Sequence, residues 1–218
     1  MELAAGRPDI GPLPGSRSRH RAALDFEGIY RADPDPWEVG TSWYERRKIA
    51  LVLGCLRRER YAVCWDAGCG TGHLTAALAP RCDAVLATDV APEAVRLTQA
   101  RTAEWPGVRC AVSALPAAPA LDVRPDLVLL SEVLYYLEAA DRQATYDLVT
   151  DLTCPDADVV GVHWRAQAEG YRQPGARTQR ELGDALAERG WTRVVTLTDE
   201  EFLVGVWSRD LPDCVGRR

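Results

Sequence analysis

The chain has 218 residues, 47% of them hydrophobic, and a net charge of −6 from 32 acidic and 26 basic side chains. That length holds one well-buried domain with a modest appendage and excludes two full catalytic domains. The acidic balance argues against a nucleic-acid partner, whose phosphates call for clustered Lys and Arg. No apolar stretch approaches the roughly twenty residues of a membrane span.

In chain order, Met1 to Leu24 carries Gly, Pro and Arg with no apolar h-region, and reads as a flexible tail rather than a signal peptide. Residues 25–210 form the expected domain, with 25–60 as a helical cover and 211–218 as a second tail. A short helix over Asp25 to Tyr30 stops at Asp33-Pro34-Asp35-Pro36, where two prolines fix a bend before Trp37. Ser42-Trp43-Tyr44-Glu45 has capping-box spacing, which predicts a helix from there to about Arg58. Ile49, Leu53 and Leu56 share one face of it and predict packing on the sheet edge.

From Ala62 the pattern alternates strand and helix. Strands are predicted over Ala62 to Asp66, Ala84 to Asp89, Arg109 to Val112, Asp126 to Ser131, Val159 to His163, Thr192 to Thr198 and Phe202 to Ser208. Helices are predicted over His73 to Ala79, Pro92 to Arg101, Arg142 to Leu152 and Thr178 to Arg189, with Pro92 suited to a helix start. Leu127 to Leu130 is a continuous apolar run, the signature of a central parallel strand buried on both faces. The alternation specifies an α/β open sheet whose ligands lie beyond the carboxyl ends of its strands. Seven dispersed cysteines without a C-x-x-C pair fit reduced thiols in a cytoplasm, and three histidines offer no metal cluster.

The chemistry starts at Asp66-Ala67-Gly68-Cys69-Gly70-Thr71-Gly72, between the first strand and a helix at His73. A glycine turn in that setting brings backbone N–H groups and a helix N-terminus toward an anionic group. Asp89, ending the next strand, is placed to accept from two ribose hydroxyls. Dinucleotide sites need a third Gly or Ala where this chain has His73. Glycines at the first, third and fifth positions instead point to S-adenosylmethionine, with NAD the disfavoured alternative.

Further residues carry a close resemblance. Phe26-Glu27 with Tyr30, Asp35-Pro36-Trp37, Thr41-Ser42-Trp43-Tyr44-Glu45 with Lys48, Ser131-Glu132-Val133-Leu134-Tyr135-Tyr136-Leu137 and Val162-His163-Trp164-Arg165 resemble segments of class I S-adenosylmethionine-dependent methyltransferases, and within them the nodulation N-methyltransferase (NodS) family. The resemblance runs from Asp25 to Arg209. It implies a Rossmann-like, seven-stranded, mostly parallel sheet with helices on both faces, a helical N-terminal cover, and methylation of a free amine on a sugar. The glycine loop departs from the family's usual form, which has a leading glutamate, so the acceptor's identity transfers poorly.

On this reading the cofactor-binding candidates are Trp37, Ser42, Asp66, Gly68, Cys69, Gly70, Gly72, Asp89, Val90, Ser113, Ala114 and Ser131. Asp66 is a candidate partner of the homocysteine ammonium, and Ser113 stands where an acid often meets the adenine amino group; a plain turn serine reads equally well there. Trp37 is either a closure over the cofactor or a hydrophobic staple. Glu132 and His163, at the ends of adjacent strands, are paired candidates for orienting the acceptor N–H or taking its proton. Tyr135, Tyr136 and Trp164 are candidate sugar contacts, although such aromatics equally build cores. Residues 165–177 read as a loop over the acceptor pocket. The expected partner is a small-molecule amine, probed against O-methylation of a hydroxyl or carboxylate and against a non-catalytic S-adenosylmethionine-binding subunit. Metal, nucleic acid and membrane are not expected, and oligomeric state is not legible.

Overall fold

The computed structural model describes residues 24–209. The two expected tails lie outside these residues, save Leu24. Helices α1 (Phe26–Ala32) and α2 (Trp43–Cys55) precede β1 (Tyr61–Ala67), α3 (His73–Leu78), β2 (Cys82–Asp89), α4 (Pro92–Arg101) and β3 (Val108–Val112). There follow β4 (Leu127–Ser131), α5 (Ala139–Leu152), β5 (Asp158–Trp164), α6 (Gly175–Glu188), β6 (Thr192–Thr198) and β7 (Phe202–Ser208).

The seven strands form one sheet in the order β3-β2-β1-β4-β5-β7-β6. Six run in one direction, β1 to β5 pairing in parallel, and β7 runs antiparallel to both its neighbours β5 and β6. Because side chains alternate across a strand, the apolar run of β4 feeds two cores. Leu127 and Leu129 pack with Val52, Cys55 and Leu78 under α2 and α3. Val128 and Leu130 pack with Tyr146, Val149, Leu182 and Leu186 under α5 and α6. The register sets Ala67 beside Leu130 and Thr88, so β1, β2 and β4 all end along one edge, where the site is built.

Several local expectations need correction. Ser42 makes no side-chain capping bond, and Glu45 turns inward to Lys48. An ion-pair partner outcompetes the helix terminus for its carboxylate. The helix lies on the sheet face against β7 and α3, not on its edge. Its inward stripe is Glu45, Lys48, Val52 and Cys55, while Leu53 is half-buried. The helix stops at Cys55 because Leu56 takes extended backbone angles. Helices α5 and α6 each start three residues earlier than predicted, so the segment read as a loop to 177 ends at Pro174.

Candidate active site

The glycine turn after β1 needs its glycines for two different reasons. Gly68, Gly70 and Gly72 all have positive φ, of 82°, 55° and 79°. In addition, a Cβ on Gly72 would lie 2.8 Å from the Thr98 Cα, so the turn seats directly on α4. The loop's own amides are used internally: Gly68 and Cys69 N–H donate to Thr88 O, Gly70 N–H to Asp89 Oδ2, and Gly72 N–H to Cys69 O. The expectation of a row of amides facing an anion is therefore corrected. Helix α3 spans only six residues. The turn works by shape and by fixing Asp66 and Asp89.

Those two carboxylates are buried. Thr75 Oγ1 donates to Asp66 Oδ2 at 2.6 Å, yet burial outweighs that bond and, with Asp89 nearby, pushes the Asp66 carboxyl up to about 6. Asp89 is likewise shifted upward by burial, against the opposing N–H groups of Ala91 and Gly70 at 3.0 and 2.9 Å. Buried carboxylates with raised pKa values favour a cation or hydroxyl donors as partners.

A cavity of about 480 Å³ opens along this edge, within the range of small-molecule sites. Of the candidates, Trp37, Asp66, Gly68, Cys69, Gly70, Asp89, Val90, Ser113, Ala114, Ser131, Glu132, Tyr135 and Tyr136 line it. Val90 is 51% exposed there, an apolar platform beside Asp89. Trp37 packs edge-to-face on Tyr30 at 5.4 Å, and α1 is tied to α4 by the Glu93 N–H donating to Glu27 at 2.8 Å. The bend before Trp37 is held by Asp35, which accepts the Val39 and Gly40 N–H groups, as well as by its prolines.

Four candidates stand away from the cavity wall: Ser42, Gly72, His163 and Trp164. Gly72 supports the turn from behind. His163 is fully buried, with Nδ1 against Gln179 Oε1 of α6 and its ring 5.8 Å from that of Tyr135. The strand's two-residue period explains this: Val160 and Val162 face α2, so His163 points toward α6. The expected pairing of Glu132 and His163 around one pocket does not form. Trp164 instead contributes its backbone N–H to Glu132 and its ring, edge-on at 6.2 Å, to Tyr171.

Glu132 is the most constrained group of the site. Its φ of 58° is a conformation that costs a non-glycine residue about 1–3 kcal/mol. Its carboxylate accepts from Lys48 Nζ at 3.0 Å, from the Trp164 N–H at 3.0 Å and from the Tyr135 hydroxyl. Burial first, then the Glu132 charge, pushes the Tyr135 phenol up, which keeps it a donor. Sequence reasoning did not place Tyr30, Glu45, Lys48, His73 or Arg172 among the site residues, and all of them line the cavity. One signal was available for two of them: Glu45 and Lys48 are charged residues in the same helical stripe as Val52 and Cys55.

Residues 29–168 match the family described as Nodulation protein S (NodS). The chain belongs to the NodS family. Nodulation protein S of Bradyrhizobium diazoefficiens is 30% identical over 131 residues, covering 58% of this chain and 61% of the relative. That of Rhizobium tropici is 33% identical over 107 residues, covering 49% and 44%. The chain thus spans about six-tenths or less of these NodS relatives. A crystal structure from Pseudomonas syringae, described as a candidate methyltransferase, is 36% identical with a TM-score of 0.65, over 77% of this chain and 100% of that one. The N-methyltransferase NodS of Bradyrhizobium japonicum, crystallised with S-adenosyl-L-homocysteine, has a TM-score of 0.69 at 22% identity over 84% and 97%, a likeness of fold.

Proposed function

We propose that this chain is an S-adenosylmethionine-dependent N-methyltransferase acting on a free amine of a small molecule, an amino sugar or deacetylated oligosaccharide. The observation that carries the reading is one cavity joining a nucleoside end, with Asp66, Asp89 and Val90, to an acceptor end closed by Glu132. The cofactor fits the residues present. Asp66 would meet the homocysteine ammonium, Asp89 the ribose hydroxyls and Val90 a face of the adenine, with Ser113, Ala114 and Ser131 alongside. The Bradyrhizobium japonicum NodS structure with S-adenosyl-L-homocysteine supports the same family of ligand.

When bound, S-adenosylmethionine supplies an electrophilic methyl group: its C–S bond breaks as an amine lone pair forms the C–N bond, and positive charge passes from sulfur to nitrogen. The chain has to hold the two reactants in line and exclude water. Glu132, with three donors on its carboxylate, is held as an anion. It acts by orienting an acceptor N–H and by opposing the charge that develops on nitrogen, a preorganised electrostatic contribution. The role of proton acceptor does not suit a carboxylate already engaged in this way. His163, buried and off the cavity wall, does not touch the acceptor in this reading. Tyr135 and Tyr136 give the acceptor end an aromatic wall suited to the C–H faces of a sugar ring.

The charges also argue against an acidic acceptor. Among the described residues, the Lys and Arg side chains lining the cavity are Lys48, between Glu45 and Glu132, and Arg172, paired with Glu138. The test is to incubate the protein with methyl-labelled S-adenosylmethionine, free amino sugars, deacetylated chitin oligomers and their N-acetylated forms. Label entering only free amines is expected. Transfer to hydroxyls or carboxylates, or to no acceptor at all, overturns the reading.

A further inference from the structure

Lys48 occupies a position where an apolar side chain would serve the fold better. It lies on the inward stripe of α2 with Val52 and Cys55 and is 5% exposed. A buried ammonium is costly to desolvate and is a poor source of stability, even when paired. Its Nζ is 3.0 Å from Glu45 Oε1, 3.0 Å from Glu132 Oε1 and 5.2 Å from the centre of the Tyr44 ring. It thereby links the cover to the end of β4, 84 residues away in sequence.

We propose that Lys48 is a positioning residue for the methyl transfer: from the cover helix it keeps the Glu132 carboxylate ionised and fixed at the acceptor end of the cavity. The inference rests on the reading that Glu132 faces the acceptor amine. Two consequences follow from the geometry. Seating α2 on the sheet and charging the acceptor end become a single event, because the cation that sustains Glu132 arrives with that helix. The Lys48 ammonium, 3.0 Å from Glu132, favours its ionised form at the acceptor end, where a nascent substrate ammonium would meet a carboxylate.

Removing Lys48 takes an ammonium from 3.0 Å of the Glu132 carboxylate, whose side chain is 17% exposed, and shifts it toward the protonated form. Other titratable groups around Glu132 are Glu45 from α2, Tyr135 and Tyr136 from the turn after β4, His163 from β5 and Arg172 from the segment before α6; Asp66 and Asp89 line the same cavity. Arg172, the arginine among them, is paired with Glu138. Glu45 would add a second negative charge.

The experiment compares Lys48→Met, Glu132→Gln and the double variant in the intact chain, using the amine acceptor found with the wild type. Affinity for S-adenosyl-L-homocysteine is measured separately by calorimetry. Lys48→Met is expected to move the acid limb of the kcat profile up by about one pH unit and so to lower kcat by up to about 10-fold at pH values on that limb, since one pKa unit is tenfold in population. Cofactor affinity should stay within about threefold. In the Glu132→Gln background, Lys48→Met should add less than about twofold, because residues acting through one another are not additive. Should Lys48→Met fold poorly from losing the cation beside the buried Glu45, Lys48→Met/Glu45→Gln carries the same comparison. An unmoved pH profile, or additive losses in the double variant, overturns the role of Lys48. A wild-type protein that binds the cofactor but methylates no amine overturns the functional reading instead.

Discussion

Asp66 makes a prediction that depends on sign. Its carboxyl titrates near 6 because burial outweighs the Thr75 hydroxyl. In the free protein, ionising it costs stability as pH rises from the ordinary carboxylate range through about 6. A bound ammonium reverses that preference, so the ligand selects the ionised form. Affinity for S-adenosyl-L-homocysteine should be level above about pH 7 and fall as pH drops through 6, up to about tenfold per unit. Asp66→Asn should weaken binding at pH 8 and flatten the fall near pH 6. Calorimetry between pH 5 and 8 checks it, and an unchanged slope in the variant removes Asp66 from the ammonium. At this scale the sequence was informative where one residue acts through a fixed turn, as for Asp66 and Asp89. It was uninformative where the direction of a side chain decides. His163 and Glu132 end neighbouring strands, but strand alternation and the positive φ of Glu132 send them to different surroundings. Ser42 and Glu45 had the right spacing for a capping box, and the long-range partner Lys48 prevailed.

Elements were legible when their own residues define them. The continuous run of β4 identified the centre of the sheet, and the strand positions of β6 and β7 followed from apolar, β-branched stretches. Starts of α5 and α6 were missed because neither has a side-chain cap: Glu138 and Pro174 precede them without such a bond. Pro174-Gly175 reads as a turn, yet packing makes Gly175 the first residue of α6. A Cβ there would lie 1.7 Å from the Trp164 carbonyl oxygen, so backbone has to move to admit one. Gly175→Ala should therefore destabilise by about 3 kcal/mol, the upper end for overpacking. It should also reduce methyl transfer, because it displaces the segment carrying Arg172 into the cavity wall. Gly54, exposed in α2, has nothing within 4 Å of its would-be Cβ. Gly54→Ala should stabilise by about 0.5–1 kcal/mol through helix propensity. Denaturant melts of both variants test the contrast; equal effects would mean that α6 does not press on β5 at Gly175.

Across the whole molecule, the cavity is walled by parts of the chain that lie far apart in sequence. Cover residues Tyr30, Trp37 and Lys48 form one side, the ends of β1, β2 and β4 another, and Arg172 from before α6 a third. Two separate cores hold the sheet from its two faces, while α1 rests on a small cluster of Tyr30, Ala91 and Ala94. Within the cover, α2 is thus seated in a main core and α1 is not, and a ligand filling the cavity adds contacts to α1. Such a ligand stabilises by mass action, by about 2.7 kcal/mol at a hundredfold excess over Kd. For a chain of this size that corresponds to a rise in Tm of roughly 5–11 °C. S-adenosyl-L-homocysteine should produce it, and amide exchange should slow most in α1. NAD should not, since His73 lines the cavity where a dinucleotide turn needs a small residue against the pyrophosphate. A shift with NAD and none with S-adenosyl-L-homocysteine would reverse the assignment of the cofactor. A shift with S-adenosyl-L-homocysteine but uniform exchange would keep the cofactor and show that the cover is already as firmly seated as the sheet.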